Sequence, residues 1–185
     1  MNIWFISDCH FGHYNIIQYC NRPYTNTEDM DKDIIQKWNE TVKPDDIVWF
    51  LGDFAFFRRN PTGYEYMEKL AKSLHGKINF VIGNHDRRIS KDVKFWYRFG
   101  FNKVYDLPVV FMDNYILSHK PLIESEAFNF GTYKNIHGHI HNNCPEFNIS
   151  SKSFNVSIEV LDYRPISFEE IVDKIKCYTK EEEND

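Results

Sequence analysis

The sequence predicts an α/β domain in which two sheets pack together and helices cover the outer faces. Strand-like and helix-like segments alternate in the first half of the chain, whereas the second half is richer in strands and closes with one helix. No stretch rich in Pro, Gly or Ser divides the 185 residues. We therefore expect one domain over residues 1–179 and a charged, flexible tail over residues 180–185.

Seven short segments have the composition of strands. Each is rich in β-branched and aromatic residues and is bounded by Gly, Asn, Asp or Pro. These segments are 2–7, 47–51, 78–82, 109–112, 115–117, 135–137 and 154–160.

Four segments predict helices: 27–42, 64–74, 92–99 and 167–178. The first has Thr27 as its expected N-cap and an acidic first turn. Its apolar residues recur at helical spacing, at Met30, Ile34, Ile35 and Trp38. The last begins with Ser167 and Glu170, the pattern of a capping box.

Composition favours a globular protein, since 42% of the residues are hydrophobic and 17% are aromatic. A net charge of -5 argues against a long, sequence-blind nucleic-acid surface, but it permits a local basic pocket for a phosphate group. The four cysteines form no CxxC pair, which indicates reduced thiols. Without a signal-like segment or an apolar run of roughly 18 residues, we expect a cytoplasmic protein that has no membrane partner.

Five polar fragments each follow a predicted strand. Their donors are imidazole nitrogens and carboxylate or amide oxygens, which suit a borderline divalent metal. Because strand ends of an α/β scaffold meet in one crevice, we expect these donors to lie together. Seven candidate ligands are enough for two adjacent ions. The fragments are Asp8-Cys9-His10, Gly52-Asp53, Gly83-Asn84-His85-Asp86, Ser118-His119 and Gly138-His139-Ile140-His141.

The alternation of side chains along a strand predicts the directions in which the candidate ligands of two fragments point. It predicts that Asp8 and His10 face one way while Cys9 faces the other. The same spacing directs His139 and His141 to one face, where they can serve neighbouring ions. Taken singly, each fragment also has an ordinary structural explanation, such as a turn or a hydrogen-bonded core histidine.

A single aspartate can join the two candidate sites. The carboxylate of Asp53 has two oxygens and can bridge two ions, and Gly52 lets the backbone come close. His137 lies two residues before His139 and would face the same way on a strand, but the seven candidate ligands already suffice for two ions without it. We therefore assign His137 a structural or supporting role.

The ordered pattern DxH, GD, GNHD, H and GHxH resembles the calcineurin-like metallophosphoesterase family. The resemblance covers residues 2–141, and we expect it to extend over the whole chain. The short length and the segment Phe11-Gly12-His13-Tyr14-Asn15 are more similar to small bacterial or phage phosphoesterases of this kind. The resemblance implies a four-layer α-β-β-α sandwich, made of two mixed sheets flanked by helices.

The resemblance also implies the roles of the fragments. The first ion would be held by Asp8, His10, Asp53 and His141, and the second by Asp53, Asn84, His119 and His139. A hydroxide held by both ions would attack phosphorus, and His85 would protonate the leaving group or orient the phosphate. We expect Mn²⁺ as the metal, with Fe²⁺, Zn²⁺, Ni²⁺ and Co²⁺ as alternatives.

Two departures narrow the comparison. Phe56 stands where purple acid phosphatases carry a tyrosine ligand, which argues against a dedicated Fe(III) site. The run Gly52-Asp53-Phe54-Ala55-Phe56-Phe57-Arg58 lacks the second aspartate of the GDxxDRG motif, which argues against a protein phosphatase.

Substrate contacts are predicted from position alone. Arginine side chains close to a metal crevice can clamp phosphate oxygens, although ordinary surface charge is the alternative for each. Phe54, Phe56 and Phe57 either pack in the core or provide a stacking platform for a nucleobase. The candidates for substrate contact are His13, Arg22, Arg58 and Arg87.

The leading hypothesis is a metal-dependent phosphoesterase that prefers a phosphodiester, with a nucleotide-like substrate as the expected class. The alternatives are a nuclease acting on single-stranded nucleic-acid ends, a phosphomonoesterase, and a non-catalytic metal-binding scaffold. The acidic net charge weakens the nuclease. A scaffold would be expected to lack ligands or His85, and all of them are present.

Overall fold

The computed structural model describes residues 1–112, 114–122, 131–145 and 148–182. Its strands are β1 (Ile3–Ile6), β2 (Ile47–Phe50), β3 (Lys77–Val81), β4 (Lys103–Tyr105), β5 (Val109–Phe111), β6 (Tyr115–Ser118), β7 (Lys134–His137), β8 (Ser153–Asn155) and β9 (Ile166–Ser167). Its helices are α1 (Tyr14–Tyr19), α2 (Thr27–Thr41), α3 (Pro61–Ser73), α4 (Asn84–Ile89), α5 (Val93–Tyr97) and α6 (Phe168–Glu182).

The strands form two mixed sheets, which confirms the predicted fold class. The first sheet has the order β4-β3-β2-β1-β9, with β4 to β1 parallel and β9 antiparallel to β1. The second has the order β5-β6-β7-β8, in which β5 is antiparallel and the others are parallel. Helices flank the sheets. Strands alternate with helical segments from β1 to β4, and the second half of the chain is richer in strands, as the sequence predicts.

Alternation along the first sheet divides the core in two. Trp4 and Ile6 of β1 face a cluster shared with α2, α3 and α5. Ile3 and Phe5 face a second cluster, which includes Leu117 of the second sheet and residues of α6. Because successive side chains point to opposite faces, one strand serves both clusters. The buried runs at the ends of β1, β2 and β3 therefore anchor the loops that follow them.

Local boundaries show where the sequence prediction succeeds and where it is wrong. The capping box is confirmed, since Glu170 N–H donates to Ser167 Oγ and Ser167 N–H donates to Glu170 Oε2. The predicted N-cap Thr27 is wrong, because the side chain of Asn26 accepts the N–H of Asp29 and so caps α2.

Some elements differ from the sequence prediction. The predicted strand over 154–160 ends at β8, and Ile158–Leu161 forms a 3₁₀ helix instead. The short elements α1, α4, β4 and β9 have no strong periodic pattern and were not predicted. Helix α6 extends to Glu182, into the predicted tail, and residues 183–185 lie outside the described residues. Within the described residues, no helix is long and apolar enough to cross a membrane.

Candidate metal centre

The candidate ligands lie beyond the strand ends, not on the strands themselves; Asn84 begins α4, and the others lie in loops. The predicted alternation of Asp8 and His10 is wrong in its geometry, because β1 ends at Ile6. β7 likewise ends before His139. Left-handed turns, which non-glycine residues rarely adopt, direct these side chains instead. Positive φ angles of 50° to 74° occur at Asp8, His10, Asp53, His139 and His141.

The first ligand group consists of Asp8, His10 and His141, whose donor atoms lie within 4.8 Å of one another. Asp8 Oδ2 accepts hydrogen bonds from Ser7, Ser157 and the backbone of His139. Asp8 Oδ1 and His10 Nε2 are buried and have no hydrogen-bond partner among the described residues. Two buried metal-ligand atoms without a hydrogen-bond partner fit a bound cation, since a buried polar atom that is left unpaired costs free energy.

The second ligand group consists of Asp53, His119 and His139, again within 4.8 Å. Asn84 joins it, because its Oδ1 lies 2.9 Å from His119 Nε2. His119 Nδ1 lies 2.9 Å from the Leu51 carbonyl oxygen, a contact that makes it the protonated nitrogen. Nε2 is therefore left to face a metal.

Asp53 stands between the two groups. Its Oδ2 lies 3.5 Å from His10 Nε2 and 3.4 Å from His119 Nε2. Its Oδ1 accepts the backbone N–H of His85 at 2.8 Å. All seven predicted ligands thus come together in two adjacent groups that share one carboxylate. This donor set of imidazoles, carboxylates and one amide suits a pair of divalent transition-metal ions.

Gly52 is required where the loops meet. Its φ is +94°, and a Cβ at this position would lie 2.5 Å from His119 Nδ1 and 2.7 Å from the Cα of Gly83. A side chain would therefore push apart the two loops that carry the second ligand group. The expected close approach at Gly52 is confirmed.

His85 lies beside the ligand groups and in neither of them. Its ring centroid is 4.9 Å from that of His10, and its side chain is half-buried. Burial lowers the pKa of His85, and the charge of Arg88 lowers it further against the opposing effect of Asp53. His85 is thus a neutral imidazole at pH 7 that lies beside the first ligand group.

A family model described as calcineurin-like phosphoesterase matches residues 1–182. The chain belongs to the calcineurin-like phosphoesterase family. It is therefore a hydrolase of ester bonds, and its two groups of ligands agree with the metal dependence of such enzymes.

Relatives and a solved structure resemble this phosphoesterase over most or part of its length. The uncharacterized protein MJ1445 of Methanocaldococcus jannaschii is 39% identical, over 94% of this chain and 91% of that protein. The gene 66 proteins of Mycobacterium phages D29 and L5 are 32% and 31% identical over 46% of this chain, and 41% and 40% of their own lengths. The crystal structure of AQ665, a protein of unknown function from Aquifex aeolicus, has a TM-score of 0.71 and 28% identity, covering 94% of this chain and 98% of that one.

A buried ion pair supports the first ligand group of the phosphoesterase. Glu159 Oε1 lies 3.0 Å from His141 Nδ1 and 2.6 Å from Arg22 Nη2. Arg22 also donates to the carbonyl oxygens of Asp8 and Cys9. Arg22, which was predicted to contact substrate, is instead fully buried, and its guanidinium group is already occupied by these partners. Sequence reasoning missed Glu159, although an acidic residue within an apolar run was a signal.

Asp86 ties the loop after β2 to the loop after β3. Its carboxylate accepts backbone N–H groups of Asp53, Phe54 and Gly83. Burial and the charge of Asp53 raise the pKa of Asp86 to about 7, against the effect of these hydrogen bonds. The sequence pattern includes Asp86 but did not indicate this positioning role.

The remaining predicted substrate contacts lie around the cleft. His13 stacks on Phe56 with ring centroids 4.9 Å apart, and it lies 5.9 Å from His85. Phe56 is 57% exposed. Arg58 is exposed and lies beside Phe56 in a surface cavity. Arg87 is half-buried and lines a cavity of about 350 Å³ next to the second ligand group. Substrate contact by these side chains stays a prediction.

The protonation states of His119 and His141 affect metal binding. Burial opposes protonation of His119, but the hydrogen bond to Asp53 and the charge of Asp8 raise its pKa to about 9. Burial likewise opposes protonation of His141, but Asp8 and Glu159 raise its pKa to about 11. Without metal, the side chains of His119 and His141 are therefore both positively charged imidazolium groups at pH 7.

Metal binding is expected to release about two protons at pH 7, because His119 and His141 must be neutral to act as ligands. Metal affinity should accordingly rise with pH as it approaches the pKa of His119, about 9. Calorimetric titration with Mn²⁺ in buffers of different ionisation enthalpy measures this release. Heats that do not depend on the buffer would contradict it.

Asp53→Asn is expected to lose bound metal, since the bridging carboxylate would lose its charge and an oxygen ligand to both groups. Elemental analysis after dialysis measures the occupancy. The matched control is Asp45→Asn, which makes the same change at an exposed position. Full occupancy in Asp53→Asn would rule out a bridging role.

Glu159→Gln is expected to weaken metal binding roughly 10- to 100-fold, because the carboxylate that orients His141 is lost. Arg22 retains its two carbonyl partners, so the folded protein should survive. Competition with a chromogenic chelator gives the affinity, and Glu68→Gln serves as an exposed control. An affinity equal to that of the control would refute the role of Glu159.

Proposed function

We propose that this protein is a phosphodiesterase that uses two divalent metal ions and acts on a nucleotide-like substrate. One observation carries the proposal: a single carboxylate, Asp53, lies between two groups of buried metal-ligand side chains. Family membership supports phosphoester hydrolysis in general. The preference for a diester and the identity of the metal, for which we favour Mn²⁺, are part of the proposal.

The side chains divide the work around the reacting phosphate. When bound, two divalent ions would neutralise charge on phosphoryl oxygens and make water more acidic. Asp8, His10, Asp53 and His141 would hold the first ion, and Asp53, Asn84, His119 and His139 would hold the second. His85 is neutral in the absence of substrate, so it first donates an N–H hydrogen bond to a phosphoryl oxygen. A negatively charged substrate raises the pKa of His85, so that His85 takes up a proton from solvent and passes it to the leaving-group oxygen.

The nucleotide-like substrate is inferred from the aromatic rings beside His85. A leaving group on the His85 side of the phosphate would meet His13 and Phe56, whose rings are stacked with an interplanar angle of 20°. Phe54 and Phe57 are buried in the core, whereas Phe56 is exposed. An exposed ring that is held in place by a second ring is suited to stack on a nucleobase.

His85→Ala is expected to retain metal but to lower kcat by about 10²–10⁴, most strongly for substrates with poor leaving groups. The measurement is turnover of a series of phosphodiesters whose leaving groups differ in pKa, with metal content checked in each sample. His75→Ala removes an exposed imidazole and is the control. A uniform loss across the series would refute proton donation by His85.

Phe56→Ala is expected to lower kcat/KM for a dinucleotide roughly five- to a hundredfold, because one base–aromatic contact is lost. The ratio to kcat/KM for a glycerol-based phosphodiester, which has no ring, isolates stacking from chemistry. Phe56→Tyr keeps the ring and should keep the ratio. An unchanged ratio in Phe56→Ala would argue against a nucleobase at this position.

A further inference from the structure

A basic groove lies on the surface formed by α4, α5 and the segment between them. Its volume is about 630 Å³. Asp92 is the acidic residue of its lining, and the Asp92 carboxylate already accepts the backbone N–H of Lys94. Five cationic side chains line it: Arg59, Arg87, Lys91, Lys94 and Arg98.

The five cations outnumber the single carboxylate, Asp92, among the residues that line the groove. Within the described part of the chain, no carboxylate forms an ion pair with any of the five. The concentration of positive charge contrasts with the chain as a whole, whose net charge is -5. A cluster of like charges that forms no ion pair among the described residues indicates a ligand with several negative charges.

Aromatic stacking fixes two of the guanidinium groups. The guanidinium carbons of Arg59 and Arg98 each lie 5.0 Å from the ring centroid of Phe95. Arg59 also donates to the carbonyl oxygen of Ile89. Because these contacts occupy only part of each planar group, donors remain available while the orientation is already set. Such preorganisation reduces the entropy lost when a phosphate binds.

Arg87 connects the groove to the metal centre. It lines the basic groove and also the cavity that contains Asn84 and His119 of the second ligand group. Its guanidinium donates to the Asp106 carbonyl oxygen, which holds it at the junction. A chain of phosphates could therefore extend from the metal centre past Arg87 into the groove.

We propose that the groove binds the phosphate backbone of a single-stranded nucleic acid whose scissile phosphate lies at the metal centre. This inference rests on the proposed function and extends it from a nucleotide to a strand. Ammonium and guanidinium groups bind backbone phosphates without regard to base sequence. The local groove resolves the apparent conflict with the acidic net charge, since binding depends on the charge near the phosphates.

The test compares two pairs of lysines, one in the groove on and just before α5 and one on α6, a helix that packs against a different core cluster from α5. Lys91→Ala/Lys94→Ala removes two charges from the groove, and Lys174→Ala/Lys176→Ala removes two exposed charges from α6. Both are made in His85→Ala protein loaded with Mn²⁺, so that turnover does not consume the probe. Fluorescence anisotropy with a labelled single-stranded oligonucleotide gives the affinity across a range of KCl concentrations.

We expect the groove variant to reduce the slope of log affinity against log salt by about 1.4, or about 0.7 for each lost phosphate contact. The α6 variant should keep the original slope. Equal slopes in both variants would overturn the proposal. So would a nucleoside triphosphate that binds as tightly as the oligonucleotide, because the groove would then serve a short polyphosphate.

Failure of the groove and failure of the proposed function are separable. Binding is measured without turnover, whereas hydrolysis of a small phosphodiester is measured in protein that retains His85. Hydrolysis without salt-dependent strand binding would overturn the groove alone. Salt-dependent binding without hydrolysis of any phosphoester would support the groove and refute the phosphodiesterase.

Discussion

The position of the Asp53 carboxylate is the constraint on which the rest of the site depends. One oxygen faces imidazoles of both ligand groups, and the other accepts the backbone N–H of His85. The hydrogen bond and charge of His119 keep the pKa of Asp53 far below its usual range despite burial. A carboxylate that stays ionised in a buried position can share two cations. The candidate proton donor is thereby placed by the same side chain that joins the metal sites.

Buried ionisable side chains outside the ligand groups hold this arrangement in place. Asp86 accepts backbone N–H groups from the loops after β2 and β3. The Arg22–Glu159 pair connects His141 to carbonyl oxygens of the loop after β1. Burying such charges costs free energy, and their mutual contacts offset much of that cost. The contact between Glu159 and His141 fixes the orientation of the ring. Because Nδ1 of His141 is hydrogen-bonded, Nε2 points in one direction.

The surface around the metal centre is asymmetric, and this asymmetry relates to substrate choice. On one side, His13 and Phe56 provide stacked rings beside His85. Beyond Arg87, the groove provides positive charge without acidic partners among the described residues. A nucleic-acid strand combines the two chemistries that these surfaces match, flat bases and regularly spaced anionic phosphates. Neither surface contributes a candidate metal ligand, so in the proposed function each would act on substrate specificity.

Local patterns in the sequence determined the fold class, the strands that carry the site and the seven ligand candidates, because buried strands and donor-rich strand ends are visible in residue order. The short elements α1, α4, β4 and β9 were not visible, since so few residues carry no clear period. Tertiary structure alone decided that Arg22 is buried against Glu159 and that Phe56, unlike Phe54 and Phe57, is exposed. It also decided that left-handed turns, not strand alternation, orient Asp8 and His10. Such contacts join residues far apart in the chain, and the free energy of burial that selects them exists only once the chain is packed.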